Sequence, residues 1–525
     1  MYNRPDGSSR AGREPARKLI GGSVGEASFD ELQRRLVALW PTISPRSMDE
    51  ARTIVVVSSV GFEVPDSAWP VIPAYEERFL FFVLAMLGQP TGRMIYLTSQ
   101  PVLPRLVDYF VSLVPGVRAE TVRSRVALVS VGDATRRPLT DKIVERPLLL
   151  QRIRDLIPDR ERALIMPFVT TASEVRLAEA LGIPVYGPSP QLAGHGTKSG
   201  SRRLFREAGV PLPAGYEDIA SRGDVIKAIR DLQAARPGLG SVVVKLDDSI
   251  SGAGNALVDL SAAHSAADVE SALDHLQAID SDLAPAEFLD ALAIRGGIVE
   301  ERVTGADLTS PSVQLRVSPM SDVEVLSTHD QVLGGPAGQI YYGCRFPAQP
   351  AYGPLISEQA LRVGHLLAEK GMLGRFGIDF VVARVDGKWR SWAIEINLRN
   401  GGTTHPMLTL IALTQGDFDP VAGEFRTPAG RTKHYVATDH LENPAYTRLT
   451  PDDVLDLVAE PDLRWDHESQ TGIALHLVSA VATAGRLGAT AIADSSAGAA
   501  DAMSRATALL DRVAAPPGRA PAGAD

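Results

Sequence analysis

The sequence predicts a multidomain protein of mixed class, α/β in its N-terminal third and α+β beyond. Three observations carry this. At about 150 residues per domain, 525 residues give room for roughly three domains. From Phe29 to about Pro190, short apolar runs alternate with stretches of three- and four-residue apolar spacing, the signature of a parallel sheet covered by helices. From Ser241 to Leu410, β-rich runs dominate instead, with one helix-like stretch over Ser357–Lys370.

In chain order, residues 1–27 are rich in Arg, Gly and Ser, lack an apolar core and are expected to be a disordered leader rather than a secretory signal. Strands are expected over Thr53–Val60, Arg93–Ser99, Arg125–Val131 and Arg162–Phe168, with helices over Pro104–Leu113 and Glu145–Ile157 between them. No G-x-G-x-x-G follows any of these strands, so a dinucleotide fingerprint is missing. The Gly-, Pro- and Ser-rich segment Gly182–Ser199 marks a boundary near residue 190. A helix over Lys198–Ala208 follows, stopped by Gly209 and Pro211. A second boundary near residue 430 introduces a small C-terminal unit over 431–515, with strands from His434 and Gly472 and a helix over Ala497–Val513; residues 516–525 read as a disordered tail.

Composition narrows the function. Fifty-three basic against 63 acidic residues give a net charge of −10 with no basic stripe, so nucleic acid is a poor partner. The apolar windows, such as Phe79–Leu87, are shorter than the about 20 residues a membrane span needs, so no membrane is expected. A single cysteine, Cys344, excludes an internal disulfide and a thiolate zinc site and fits a cytoplasmic protein; it reads as a small core residue.

The most informative segment is Arg375–Gly402, two strands joined by a hairpin at Asp386-Gly387. Residues two apart share a strand face, so Glu395 and Asn397 project together while Ile394 and Ile396 point away, and Asp379 lies near them on the paired strand. Two carboxylates and an amide oxygen form a hard oxygen site suited to Mg2+, with Mn2+ as a substitute. Beyond them, Arg399 and the loop Gly401-Gly402-Thr403 precede a helix start at Thr404-His405-Pro406, which offers backbone N–H groups to an anion. Upstream, Lys245 ends a β-branched run ahead of the small-residue loop Ser249, Ser251, Gly252 and Gly254, a lysine and loop that can cradle phosphate without being a Walker A motif. In Gly296–Asp307 the strand end Glu300-Glu301 to Val303 can present backbone groups and a carboxylate to a purine, with Asp307 placed for ribose hydroxyls. Each piece alone is ordinary: a solvated sheet face, a capped helix, a glycine turn, a surface loop.

Their order along the chain is not ordinary. Lys198, Lys245, the glycine loop, Glu300 to Asp307, Asp379 and then Glu395-x-Asn397 resemble the successive nucleotide-contacting elements of the ATP-grasp superfamily, over about Ser189–Gln415. The segments Leu326–Ala348 and Gly472–Ser495 look like those of the peptide ligases of the pheganomycin-biosynthesis type. That resemblance implies a Rossmann-like pre-ATP-grasp domain (28–190), an ATP-grasp core of two α+β subdomains (191–430, with a lid about 197–300) and the small α+β C-terminal domain. It further implies an ATP-dependent carboxylate–amine ligase working through an acyl phosphate. In such an enzyme Lys198 and Lys245 neutralise phosphates, Asp379, Glu395 and Asn397 hold Mg2+, and Arg399 steadies the transferred group. Small amino acids or peptides are the implied substrates. Arg316, His329, Gln331, Arg345, Gly402, Thr403 and His405 are the candidates to hold them, and Arg399 and Lys245 are the candidate catalytic residues. Exposed edges of the C-terminal sheet fit a homodimer. Two other readings use the same nucleotide site: a phosphotransferase, and a nucleotide-binding regulatory module without turnover.

Overall fold

The computed structural model describes residues 27–43, 52–62, 64, 68–80, 91–114, 119–249, 254–279, 283–335 and 338–516. The expected leader and tail lie outside these residues except at Ala27 and Pro516, as do Ser251 and Gly252 of the glycine loop.

The four apolar runs of the N-terminal third form β1 (Thr53–Val57), β2 (Arg93–Thr98), β3 (Val126–Ser130) and β4 (Ala163–Pro167), all parallel in the order β3-β2-β1-β4. β1 is buried along its whole length, which is why it reads as a continuous run of Ile and Val rather than an alternation. Helices, among them Pro104–Ser112, Pro147–Asp155 and Ala172–Leu181, cover the faces, the last opened by a Thr171/Glu174 capping box and closed by the left-handed Gly182.

The second unit is a five-stranded sheet: β5 (Gly215–Ile219), β6 (Ser241–Leu246), β7 (Asn255–Asp259), β8 (Gln277–Ala278) and β9 (Gly297–Glu301), in the order β5-β9-β6-β7-β8. It carries its own hydrophobic core, built from Val242, Val244, Val299, Phe288 and neighbours. Two helices here, Ala266–Leu273 and Pro285–Arg295, correct the expectation of a single helix between residues 241 and 410. Both carried start signals, a Ser265/Asp268 capping box and Pro285 at the first turn.

The third unit is a nine-stranded antiparallel sheet. Its strands are β10 (Ala306–Thr309), β11 (Pro311–Val317), β12 (Val323–Gly334), β13 (Ile340–Phe346), β14 (Gly374–Val385) and β15 (Lys388–Asn397), then, past the small hairpin β16 (Asp417–Asp419) and β17 (Glu424–Arg426), β18 (His434–Glu442), β19 (Gly472–His476) and β20 (Arg486–Ala493). Because β13 pairs with β18, the C-terminal strands continue the central sheet instead of forming one of their own. Helices Gly353–Glu369 and Ser496–Ala514 pack against it.

Directly opposed residues of an antiparallel pair share a face. The registers Ser312 to His329, Ser312 to Asp379 and Asp379 to Glu395 therefore set these four side chains on one rung. The rung extends through Phe346, whose ring lies 5.4 Å from His329, to its partner Tyr435, stacked on Phe346 at 4.8 Å. At that end it is roofed by Phe418 and Phe425 of the β16–β17 hairpin. His329 is thus on the same face as the acidic pair but inside the core, its Nε2 2.5 Å from the Tyr435 hydroxyl, which corrects its assignment as a substrate contact. Cys344 is buried in the same core, as predicted.

Phe346 joins the core strands to the C-terminal strands, so Phe346→Ala is expected to cost about 3–5 kcal/mol in urea denaturation. The shared sheet predicts that residues on β14 and β20 lose protection from hydrogen exchange together. Burial pulls His329 down to about 3, whereas in the unfolded chain it titrates near about 6.5. The unfolded state therefore takes up the proton first: this contribution to stability is complete above pH 6.5 and is lost as pH falls toward 3, by up to about 1.4 kcal/mol per pH unit. Urea midpoints measured between pH 7.5 and 5 should show it, with a shallower slope in His329→Gln.

Candidate active site

Between the five-stranded and nine-stranded sheets lies a cavity of about 350 Å³. The five-stranded side contributes Val243, Lys245, Asn255, Glu300 and Glu301, and the hinge after β9 adds Arg302 and Val303; Lys198 comes from the helix Lys198–Glu207, capped by Thr197. The nine-stranded side contributes Ser310, Ser312, Gln314, Gln331, Tyr341, Asp379, Glu395, Asn397 and Arg399, with the loop Gly401–Thr403 closing one end. Lys198, Lys245, Glu300, Glu301, Val303, Gln331, Asp379, Glu395, Asn397, Arg399, Gly402 and Thr403, widely spaced in sequence, therefore share one cavity.

Asp379 and Glu395 sit opposite each other on β14 and β15. Asp379 accepts from Gln331 Nε2 (2.9 Å) and Asn397 Nδ2 (3.0 Å), Arg399 Nη1 donates to Asn397 Oδ1 (2.6 Å), and Lys198 Nζ donates to Glu395 Oε1 (2.6 Å). Burial, reinforced by the Glu395 charge, pushes the Asp379 carboxyl up to about 7, and burial lowers the Arg399 guanidinium below its usual range. Both Asp379 oxygens, Glu395 Oε1 and Asn397 Oδ1, all atoms a hard cation would take, are here satisfied by an ammonium, guanidinium or amide N–H. An ion in their place would meet two carboxylates, and rotation of the Asn397 amide would add a carbonyl oxygen, so the donor set fits Mg2+.

A β-bulge between Asp379 and Phe380 shapes this floor: Asp379 pairs with Glu395 but Phe380 pairs with Ala393, leaving Ile394 as the extra residue. Ile394 consequently lines the cavity, correcting the expectation that it points away with Ile396. The glycines are sterically required. A Cβ on Gly402 would lie 2.7 Å from the Tyr341 ring, and one on Gly254, at φ +91°, 2.6 Å from Ser249 Cβ.

Other assignments change. Glu300 is buried with both oxygens engaged, one by Lys245 Nζ (2.5 Å) and the other by Arg202 Nη1 (2.9 Å), so it is not the free acceptor expected for a purine amine. Glu301 is held by Arg236 and by the Ala214 N–H (2.8 Å). Ser249 is buried outside the lining, its carbonyl accepting from Lys198 Nζ (3.1 Å). Asp307 pairs with Arg384 (3.1 Å) on the exposed side of β10 and does not line the cavity. Arg316 lies beyond the cavity on the same face of β11, paired with Glu324 and over the Trp40 ring, and Arg345 is exposed on β13. His405 is buried against His476 in the first turn of the helix that Thr403 precedes. These four substrate candidates, His329, Arg316, Arg345 and His405, are therefore not brought to the cavity.

Sequence reasoning missed Ser310, Ser312 and Gln314. Their alternation with Pro311, Val313 and Leu315 on β11 was a readable two-residue period. Arg202, which joins Glu300 to Glu217 across two elements, and Asn255, bonded to Gln339 at 3.0 Å, carried no such signal.

Three family models match the chain: the Pre ATP-grasp domain over residues 95–183, the IQCH-like ATP-grasp over 190–284 and 274–420, and the PGM1 C-terminal domain over 453–507. The L-propargylglycine–L-glutamate ligase of Streptantibioticus cattleyicolor is 32% identical over 451 residues, covering 84% of this chain and 90% of that protein. The IQ motif-containing protein H of Danio rerio is 25% identical over 321 residues, 54% of this chain and 30% of that one. Among solved structures, a biotin carboxylase–nucleotide complex from Campylobacter jejuni superposes with a TM-score of 0.52 at 13% identity, covering 89% of this chain and 96% of that one, a likeness of fold alone. The 32% identity over 84% of this chain makes it a member of the ATP-grasp ligases, with a pre-ATP-grasp domain ahead of the ATP-grasp core and kinship to the pheganomycin-type peptide ligases.

Proposed function

We propose that this ligase activates a carboxylate as an acyl phosphate with ATP and joins it to the amine of an amino acid or small peptide, releasing ADP and phosphate. The observation that carries the reading is the paired Asp379 and Glu395 flanked by Lys198 and Arg399, in one cavity with Lys245 and the Gly401–Thr403 loop. The Streptantibioticus cattleyicolor relative, named for joining two amino acids, supports amino-acid substrates.

A carboxylate resists amines because its oxygen leaves badly; phosphorylation supplies phosphate as the leaving group. The carboxylate oxygen bonds to the γ-phosphorus as the bond to ADP breaks, then the amine bonds to the carbonyl carbon as phosphate departs, with loss of one amine proton. The protein's share is positioning and charge neutralisation. In this reading Lys198 and Lys245 exchange their carboxylate partners for phosphate oxygens, and Arg399 pairs with the phosphoryl group in transfer. The N–H groups of the Gly401–Thr403 loop receive the acyl phosphate. Asp379, Glu395 and Asn397 would hold Mg2+ or Mn2+, which would supply charge compensation for the phosphates. The hinge backbone at Arg302-Val303 borders the place for the purine. The five-stranded sheet, with its own core, closes over the intermediate and keeps water from it.

The direct test incubates the enzyme with ATP, Mg2+ and a panel of amino acids and short peptides; mass spectrometry should find a condensed product matched by ADP. AMP with pyrophosphate would refute the acyl-phosphate route, and a phosphorylated acceptor without amide would point to a phosphotransferase. Lys245→Ala and Glu395→Gln should each lower turnover by at least about 100-fold. Because Asp379 is raised to about 7, it is protonated below that pH and must ionise to meet a cation. Binding of preformed Mg–ADP is therefore expected to release up to one proton more at pH 6 than above pH 8, as calorimetry in buffers of different ionisation enthalpy will read; Asp379→Asn removes that difference.

A further inference from the structure

Away from the cavity, three metal-ligating side chains converge from distant parts of the chain. His405 lies in the first turn of the helix Thr404–Thr414, Asp439 on β18 and His476 at the end of β19, all buried. His476 Nε2 is 3.0 Å from His405 Nε2 and 2.7 Å from Asp439 Oδ1, and His405 Nε2 is 3.5 Å from that same oxygen.

Hydrogen bonding accounts for only part of this arrangement. An imidazole nitrogen offers one proton or one lone pair, in the ring plane. If His476 Nε2 donates to Asp439, His405 Nε2 faces a nitrogen already committed, and 3.5 Å is too far for a bond of its own to the carboxylate. One cation at the centre would satisfy all three lone pairs. Tetrahedral ligands about 2.0–2.1 Å from zinc stand roughly 3.3 Å apart, and the three observed separations bracket that value.

We propose that His405, Asp439 and His476 form a second metal site, selective for a nitrogen-preferring divalent cation such as Zn2+ and distinct from the Asp379–Glu395 site. Two imidazoles favour zinc over the hard, oxygen-seeking Mg2+. The surroundings are those of a built site. Arg78 Nη1 takes the other Asp439 oxygen at 2.8 Å and fixes its orientation, and Gly488 leaves the space that a Cβ, 2.2 Å from the His476 ring, would fill. The site would tie the C-terminal strands to the helix that begins immediately after the Gly401–Thr403 loop, and through Arg78 to the N-terminal unit.

The test strips the purified full-length chain with a chelator, re-equilibrates it with Zn2+ in millimolar Mg2+, desalts it and measures bound metal. One zinc per chain is expected, and Co2+ in its place should give the intense visible bands of low-coordinate cobalt that an octahedral oxygen site lacks. His476→Gln should lose both signals and Asp379→Asn should keep both. Less than about one-tenth equivalent of zinc in the wild type overturns the proposal, as does zinc that survives His476→Gln but is lost in Asp379→Asn. Should His476→Gln fail to fold, His405→Gln is read the same way, and the wild-type stoichiometry with its cobalt spectrum decides by itself.

Discussion

Two carboxylates fixed face to face on adjoining strands, largely out of water, are the constraint around which this molecule is built. Asp379 and Glu395 cannot both carry charge there without cationic neighbours, and the low dielectric that makes their repulsion costly makes each compensating contact strong. Lys198 arrives from a helix start nearly two hundred residues earlier, Arg399 from the turn just beyond β15, and Gln331 and Asn397 donate to the two oxygens of Asp379. Such a cluster stays poised because its charge is balanced locally, and in the proposed reaction a triphosphate with its cation would exchange into it without stranding any group.

The rung that holds these acids also explains why the sheet extends so far. The face that is polar at Glu395, Asp379 and Ser312 becomes aromatic at His329, Phe346 and Tyr435 without a break in the strands. One end is open to a cavity and the other is sealed by Phe418 and Phe425. The floor that carries Asp379 and Glu395 is therefore anchored in the C-terminal part of the chain, whereas the five-stranded sheet packs around a core of its own.

Much of this was legible in the sequence where a local period or a spacing carried it. The four parallel strands, the Asp386-Gly387 hairpin and the shared side of Glu395 and Asn397 follow from apolar runs, a turn dipeptide and the two-residue repeat of a strand. What was not legible depended on contacts between distant segments. His329 has the right face and the wrong roof. Ile394 was misplaced because one bulge reverses strand parity. Glu300 looks free in sequence and is clasped by Lys245 and Arg202 in space. Arg316 keeps its alternation but runs past the end of the cavity.

The clasped state of the two lysines bears on which anions the enzyme ignores. With Lys198 on Glu395 and Lys245 on Glu300, neither ammonium offers an unmatched charge, so chloride or a stray orthophosphate must displace an internal counter-ion at close range to settle there. In the proposed reaction a ligand bearing several phosphates and its own metal would replace both contacts in one event. The same carboxylates would then return to the lysines as the spent nucleotide departs, so release would uncover no bare cation to hold the product back.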